Sequence, residues 1–569
     1  MLAYSLAHGP TLTPLIERTI GDVFDAAVEK WPAREAVVSR HERERYSYRA
    51  LQVEVNRLAS ALLNLGLLPG DRIGIWSHNN IAWLLMQLAT AKAGIILVNI
   101  NPAYRVSELE YALNKSGCKA IVTMRRYKSS DYLDMLLQIA PELKDGSGSA
   151  PAGLPSLRHV VWIDSSAQET DDPFDRCPRV QRFSQLLATG LVDDERLVQL
   201  SKSIQPVDSI NIQFTSGTTG SPKGATLTHR NVVNNGFFVG ERMKLTHEDR
   251  LCIPVPLYHC FGMVMGNLAC LTHGSTIVYP NDGFDALTVL EAVQEERCTA
   301  LHGVPTMFAA ELDHPRFDEF DLSTLRTGVM AGAPCPIALM KRVVEKMHLS
   351  EITIAYGMTE TGPVSCQSTI DTPLDKRVST VGTVHDHLEV KIIDALTGET
   401  VPPGVQGEIC TRGYSVMRGY WDDEVKTHEA VDREGWMHTG DLGTMNADGY
   451  VNVVGRKKDL VIRGGENISP VEIEEFLCRH PRIQSAQVVG VPDSRYGEEL
   501  CACIVTRPGH DLSEDEVRDF CKGNIAHYKV PKYVKIVEGY PMTVTGKVQK
   551  FQLREDMKRL LNLSDQETA

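Results

Sequence analysis

Helical and strand signals alternate along this chain from its N-terminal end, and that alternation confines it to α/β architectures with largely parallel sheets. Thr19 and Asp22 form an N-cap pair ahead of an apolar face made of Val23, Phe24, Ala27 and Val28. Ser47 is placed to cap a second helix, in which Leu51, Val55, Leu58 and Leu62 fall at helical spacing before Gly66 ends it. Residues 72–76 then read as a short buried strand. The most apolar window, 82–100, carries Gln87, Lys92 and Asn99. Those interruptions are costly in a bilayer, so the window predicts a buried helix followed by a buried strand rather than a membrane span.

At 569 residues the chain exceeds one ordinary core, so at least two domains are expected. A composition break falls at Gly455-Arg456-Lys457-Lys458-Asp459. After it come a helix over 471–477, strands near 487–491 and 501–505, and a helix with Ser513 and Glu516 as a capping box and Val517, Phe520 and Cys521 inside. The expected division is therefore 1–456 and 457–569, the second part being large enough at roughly 110 residues to fold alone. The Gly-, Ser-, Ala- and Pro-rich stretch 144–154 reads as an exposed loop of the larger domain. No internal repeat stands out.

A net charge of −14 argues against an electrostatic grip on nucleic acid, though a few local donors can still hold a nucleotide. The 13 cysteines are odd in number and scattered; their closest pair, Cys501-Ala502-Cys503, suits neither zinc nor a redox pair. They read as small buried hydrophobes in a reducing compartment. Residues 1–13 lack the basic and apolar regions of a secretory signal, so the expected location is cytoplasmic. Peripheral membrane contact and a homodimer both remain compatible with the sequence.

The most informative segment is Thr215-Ser216-Gly217-Thr218-Thr219-Gly220-Ser221-Pro222-Lys223-Gly224, which follows a strand-like run at 210–214. Its glycines allow close backbone approach, its hydroxyls and N–H groups are donors, and Lys223 supplies a positive charge; a triphosphate needs this combination. Pro222 stands where a Walker loop needs glycine, and the spacing is not that of a dinucleotide fingerprint. The competing reading is a flexible turn between strand and helix.

Further along come Ala331-Gly332-Ala333-Pro334, Tyr356-Gly357-Met358-Thr359-Glu360, Thr439-Gly440-Asp441, Gly455-Arg456-Lys457-Lys458-Asp459, Gly464-Gly465-Glu466-Asn467 and Pro541-Met542-Thr543-Val544-Thr545-Gly546-Lys547. With these motifs in this order, nearly the whole chain resembles the adenylate-forming superfamily of acyl-CoA synthetases, luciferases and peptide-synthetase adenylation domains. The wording around 210–229 and Tyr258-His259-Cys260-Phe261-Gly262 is most similar to medium-chain fatty acyl-CoA synthetases. The resemblance implies a large N-terminal domain of several subdomains with mainly parallel sheets. It also implies a small mobile α+β C-terminal domain that turns about a hinge at Lys458.

The same resemblance assigns ATP contacts to the loop from Thr215 to Lys223, to Gly332, Ala333 and Pro334 at adenine, and to Tyr356, Gly357, Met358 and Thr359. Asp441 and Arg456 fall at the ribose and phosphates, and Thr218 joins Glu360 at magnesium. Lys547 bridges the acid and the α-phosphate, and the Gly464-Gly465-Glu466 loop admits coenzyme A. The residue chemistry suits these roles. A carboxylate with a pKa of about 4 needs no general base, but its attack on a phosphate needs cations and donors against anion–anion repulsion. Glu360 offers hard oxygens to magnesium, and Asp441 can accept from both ribose hydroxyls.

By the same resemblance, His259 and the apolar helix-like run through Met263, Val264, Met265 and Leu268 wall an acyl pocket, with Gly303, Val304, Gly332 and Ala333 as small candidates for the remaining wall; small, apolar walls suit an alkyl chain. The expected reaction is therefore ATP-dependent activation of a fatty, medium-chain acid, with release of pyrophosphate and transfer to coenzyme A. Alternatives are an aryl or other small acid, a carrier-protein acceptor, and a luciferase-like oxidation. Retention of Lys223, Glu360, Asp441, Arg456 and Lys547 together argues against a nucleotide-binding regulator that has lost catalysis, and a scaffold or membrane-interaction protein would leave these motifs without purpose.

Overall fold

The computed structural model describes residues 2–127, 130–144, 151–164, 180–215, 222–333, 335–463, 466–493, 496–522, 524–542 and 548–563. The chain divides into two compact units, one of His8–Val390 with Thr411–Met437, the other of Met1–Ala7, Lys391–Cys410 and His438–Ala569.

In the larger unit, local signals set the helices. Thr19 and Asp22 make a reciprocal capping box on Ile20–Lys30, and the Ser47 side chain accepts from Ala50 N–H at the start of Tyr48–Asn64. The apolar window becomes helix Ile81–Ala93 and strand Ile96–Asn99, both buried. Its polar interruptions are each satisfied. Gln87 Nε2 donates to Met263 O at 3.0 Å, Asn99 Nδ2 donates to Tyr258 O at 3.0 Å, and Lys92 Nζ meets Asp25 Oδ1 at 2.5 Å. Burying amides and a charge is tolerable only on those terms.

Among the described residues, one sheet runs edge to edge through Val180–Arg182, His159–Trp162, Ala120–Thr123, Arg72–Trp76, Ile96–Asn99, Ser209–Thr215, Lys223–Thr228 and Gly419–Tyr420. It is parallel as far as Ser209–Thr215, and the last two pairings are antiparallel. A second sheet runs through Thr383–Val384, Val364–Gln367, Glu351–Gly357, Thr327–Ala331, Ala300–Gly303, Arg250–Cys252, Thr276–Tyr279, Glu35–Ser39 and Glu44–Ser47, parallel in its centre. In the smaller unit, the long antiparallel pair Ile483–Asp493 and Gly497–Thr506 carries helices Pro470–Leu477, Glu514–Cys521 and Lys550–Leu560. Ser513 and Glu516 make the expected capping box.

One local expectation is corrected and another refined. The stretch 144–154 is not an exposed loop throughout. Pro151 and Leu154 are buried, and Leu154 packs in one cluster with Leu143 and Leu157, because a Gly/Ser-rich run still buries its few apolar side chains; residues 145–150 lie outside the described part. The apolar run after His259 is helical but π-wound over Phe261–Leu268 before continuing as α-helix Ala269–His273. Such windings are short and concentrate at functional sites.

The core also holds an unpaired acid. Glu311 in helix Pro305–Leu312 is fully buried, and neither carboxyl oxygen has a hydrogen-bond partner among the described residues. Burial raises its pKa well above the carboxylate range. The folded state therefore keeps a proton that the unfolded chain releases above about pH 4.3, and stability falls as pH rises by about 1.4 kcal/mol per unit until the folded pKa is reached. Glu311→Gln is expected to remove this slope. Urea unfolding of both proteins at about pH 5.5 and pH 8 measures it, the wild type losing more stability between the two than the variant.

Candidate active site

Strands Ser209–Thr215 and Lys223–Thr228 pair in antiparallel register with Thr215 opposite Lys223, so these two residues stand at either end of the phosphate-type connection. Ser216, Gly217, Thr218, Thr219, Gly220 and Ser221 lie outside the described residues, as do Pro334, Gly464, Gly465 and Lys547. Pro222 O accepts from Tyr111 Oη at 3.1 Å, which ties the exit of the connection to helix Val106–Ser116.

Glu360 is brought to the same place by strand Glu351–Gly357 and the single 3₁₀ turn Thr359–Thr361. The bend between them depends on Gly357, where a Cβ atom would stand 1.8 Å from Pro363 O. Glu360 is 4% exposed, and its Oε1 accepts from Thr215 Oγ1 at 3.2 Å and from Tyr420 Oη at 2.9 Å. Lys223 Nζ sits 4.4 Å from the centroid of the Tyr420 ring. Thr215, Lys223 and Glu360 thus converge. Tyr356, Met358 and Thr359 are half-buried on the same approach, and Gly332 and Ala333 follow the neighbouring strand Thr327–Ala331.

Tyr420 is a residue that motif reading did not find. It arrives on the edge strand Gly419–Tyr420, opposite Ala225, and nothing periodic in the sequence links it to Glu360. Burial, and then the Glu360 carboxylate, push its phenol above the usual range, so the hydroxyl stays a donor.

His259 is half-buried, its ring centroid 4.3 Å from that of Tyr258, and its carbonyl accepts from Met263 N at 3.0 Å at the entry to the π-wound stretch. Behind that stretch His302 is fully buried. Its Nε2 lies 3.0 Å from Met265 O and its Nδ1 accepts from Val329 N–H, an arrangement that suits a neutral ring. Burial lowers the His302 pKa to about 4 and raises that of the Cys260 thiol to about 12, so both are uncharged at neutral pH.

In the smaller unit, Asp441 and Arg456 face each other in the antiparallel pair Met437–Met445 and Val451–Arg456, with Arg456 Nε 3.0 Å from Asp441 Oδ1. Gly440 takes φ +69° to make the preceding turn, and its N–H donates to Glu408 Oε1 at 3.1 Å. Lys458 lies exposed in the turn Lys457–Asp459, which leads into strand Val461–Arg463; the backbone of Glu466 continues from there in the next strand.

Among the described residues no group of three or more His, Cys, Asp or Glu side chains is placed to hold a metal by itself. A cation at Glu360 would complete its shell from a ligand's phosphates, which suits magnesium. Among the described residues no helix is long and apolar enough to cross a membrane, and the described cysteines are free thiols.

The AMP-binding enzyme model matches residues 24–421, and the AMP-binding enzyme C-terminal domain model matches 472–547. Among curated relatives, the mitochondrial medium-chain acyl-CoA ligase ACSF2 of Rattus norvegicus is 44% identical over 98% of this chain and 91% of its own. The putative acyl-CoA synthetase YngI of Bacillus subtilis is 45% identical over 97% of this chain and 100% of its own. Among solved structures, the anthranilate CoA ligase AuaEII in complex with anthranoyl-AMP matches with a TM-score of 0.84 and 26% identity, over 97% of this chain and 99% of that one. ATP-bound MatB from Rhodopseudomonas palustris matches with a TM-score of 0.81 and 28% identity, over 95% and 99%.

Proposed function

Because the chain belongs to the AMP-binding enzyme family, we propose that it is an AMP-forming acyl-CoA synthetase that joins a medium-chain fatty acid to coenzyme A. The observation that carries this reading is the convergence of Thr215, Lys223 and a buried Glu360 at the ends of the hydroxyl- and glycine-rich connection. A carboxylate and a cation fixed beside such a segment suit a nucleotide triphosphate and its metal, not a bare anion.

In the first step a carboxylate oxygen of the acid forms a bond to the α-phosphorus, and the bond from that phosphorus to the bridging oxygen breaks, releasing pyrophosphate. Lys223 and Lys547 offset the negative charge that gathers there, Thr359 donates to the α-phosphate, and the loop from Ser216 to Ser221 encloses the chain of phosphates. Glu360, with Thr218, would hold magnesium, which supplies further charge neutralisation. Asp441 and Arg456 bind the ribose side, and Tyr356 offers its ring to adenine, flanked by Gly332, Ala333 and Pro334.

In the second step the thiol sulfur of coenzyme A bonds to the acyl carbon, the mixed-anhydride C–O bond breaks, AMP departs and the thiol proton passes to solvent. Rotation of residues 457–569 about Lys458 withdraws Lys547 and presents Gly464, Gly465 and Glu466. An alkyl substrate is supported by the buried π-wound stretch, apolar but for Asn267, whose amide is bonded to Gln87, and by burial that favours uncharged His302 and Cys260 beside it. His259 stands at the entrance of this wall. Free thiols support a reducing, cytoplasmic setting.

The test is a pyrophosphate-release screen over straight-chain acids of graded length, with and without coenzyme A. Release should peak at medium lengths, with AMP released only when coenzyme A is present. Folded protein that liberates neither product from any acid overturns the reading.

A further inference from the structure

We propose that Tyr420 is a positioning residue for both charged groups of the phosphate-binding end of the site, its hydroxyl orienting the Glu360 carboxylate and its ring seating the Lys223 ammonium. The proposal rests on the nucleotide-binding reading above and adds to it a residue that no motif supplies.

The backbone around Tyr420 is tied on both sides. Its own N–H donates to Thr427 Oγ1 at 2.9 Å, the N–H of Trp421 to Gly224 O at 2.7 Å, and that of Arg418 to Thr226 O at 2.9 Å. Those last two carbonyls belong to the strand that begins at Lys223, so Tyr420 and Lys223 share one scaffold. The side chain is 6% exposed, which leaves its ring little freedom to leave the ammonium.

The hydroxyl does a second job. Glu360 Oε1 accepts from Tyr420 at 2.9 Å and from Thr215 at 3.2 Å. Two donors use both lone pairs of that oxygen and fix the rotation of the carboxylate, so a cation is left to bind through Oε2. Without the phenol the carboxylate could turn about its terminal torsion, which is broad. An ammonium over an aromatic face is attracted without being neutralised, so Lys223 keeps its full charge for a phosphate.

The two jobs are separable. Tyr420→Phe deletes the hydroxyl and keeps the ring; Tyr420→Leu deletes both. The measurements are calorimetric binding of a non-hydrolysable ATP analogue in magnesium and in EDTA, the magnesium concentration for half-maximal ATP–pyrophosphate exchange, and the melting temperature. Tyr420→Phe is expected to weaken the magnesium-dependent part of binding and raise the half-saturating magnesium by roughly 10-fold or more, as loss of an outer partner of a metal ligand does. Its binding in EDTA should match the wild type. Tyr420→Leu should weaken binding in EDTA as well.

The proposal is overturned if Tyr420→Phe titrates with magnesium as the wild type does. It is also overturned if that variant loses analogue affinity equally in magnesium and EDTA, the pattern of a merely structural residue. Tyr420→Phe decides the matter alone should the leucine variant fail to fold. Failure of every acid to release pyrophosphate would strike the proposed reaction, while the calorimetry would still report on Tyr420.

Discussion

Lys547→Ala is expected to lower ATP–pyrophosphate exchange by about 10²–10³-fold, the cost of removing one preorganised charge or donor from a transition state in which negative charge is concentrating. The acid brings one negative charge to a polyanion, and no proton transfer relieves it. A cation at the bond being made therefore acts on the barrier itself, not on ground-state binding. Accordingly the KM values for ATP and acid should move much less than kcat. Thioester formation from separately supplied acyl-adenylate and coenzyme A should fall far less, because the proposed mechanism withdraws the lysine for that step. Lys458→Pro is expected to give the mirror image: proline locks φ, so a hinge there turns poorly and coenzyme A-dependent AMP release slows more than exchange does. Equal losses in both half-reactions for either variant would remove the assignment of separate roles.

Glu360→Gln is the second large effect. The amide keeps an oxygen that Thr215 and Tyr420 can bond, so the turn Thr359–Thr361 should fold as before. What is lost is the negative charge offered to a hard cation. Deleting outer-sphere partners of a metal ligand costs about 10–100-fold in affinity, so loss of a ligand itself should raise the half-saturating magnesium in ATP–pyrophosphate exchange by more than about 100-fold. Calorimetric binding of the analogue in EDTA should improve, because one anion near the phosphates is gone. Unchanged magnesium dependence would place the metal elsewhere.

What could be read from sequence divides by the range of the signal. The caps at Thr19, Ser47 and Ser513 were legible because side chain and backbone partner lie within a few residues. The buried helix and strand at 81–99 were legible because their polar residues were too few for a surface and too many for a bilayer. Glu360 and Asp441 stood out through motif order, which says nothing of what holds them. Tyr420 lies 60 residues beyond Glu360, on an edge strand of two residues, where neither period 2 nor period 3.6 can be counted. The π winding was hidden for another reason: within Phe261–Leu268 nearly every side chain is buried and Asn267 is the one polar residue, so no apolar–polar alternation marks the turn length. Glu311 left no signal, since nothing in the local sequence separates a buried acid from a solvent-facing one in a short helix.

Deleting one residue between Phe261 and Leu268 would let this stretch tighten into ordinary α-helix, and because the wider winding is what holds the extra residue, side chains beyond Leu268 would keep nearly their present direction. Met263 O and Met265 O, now met by Gln87 and His302 from elsewhere in the chain, would then be drawn back into the helix's own ladder. An indel here would change the winding and backbone bonding of the whole stretch in a single event while leaving the helix beyond it in place, whereas a point substitution exchanges one side chain. If this stretch walls the acyl pocket as proposed, divergence in acyl preference among descendants of such a chain should come in jumps, with gaps in their alignments falling on it.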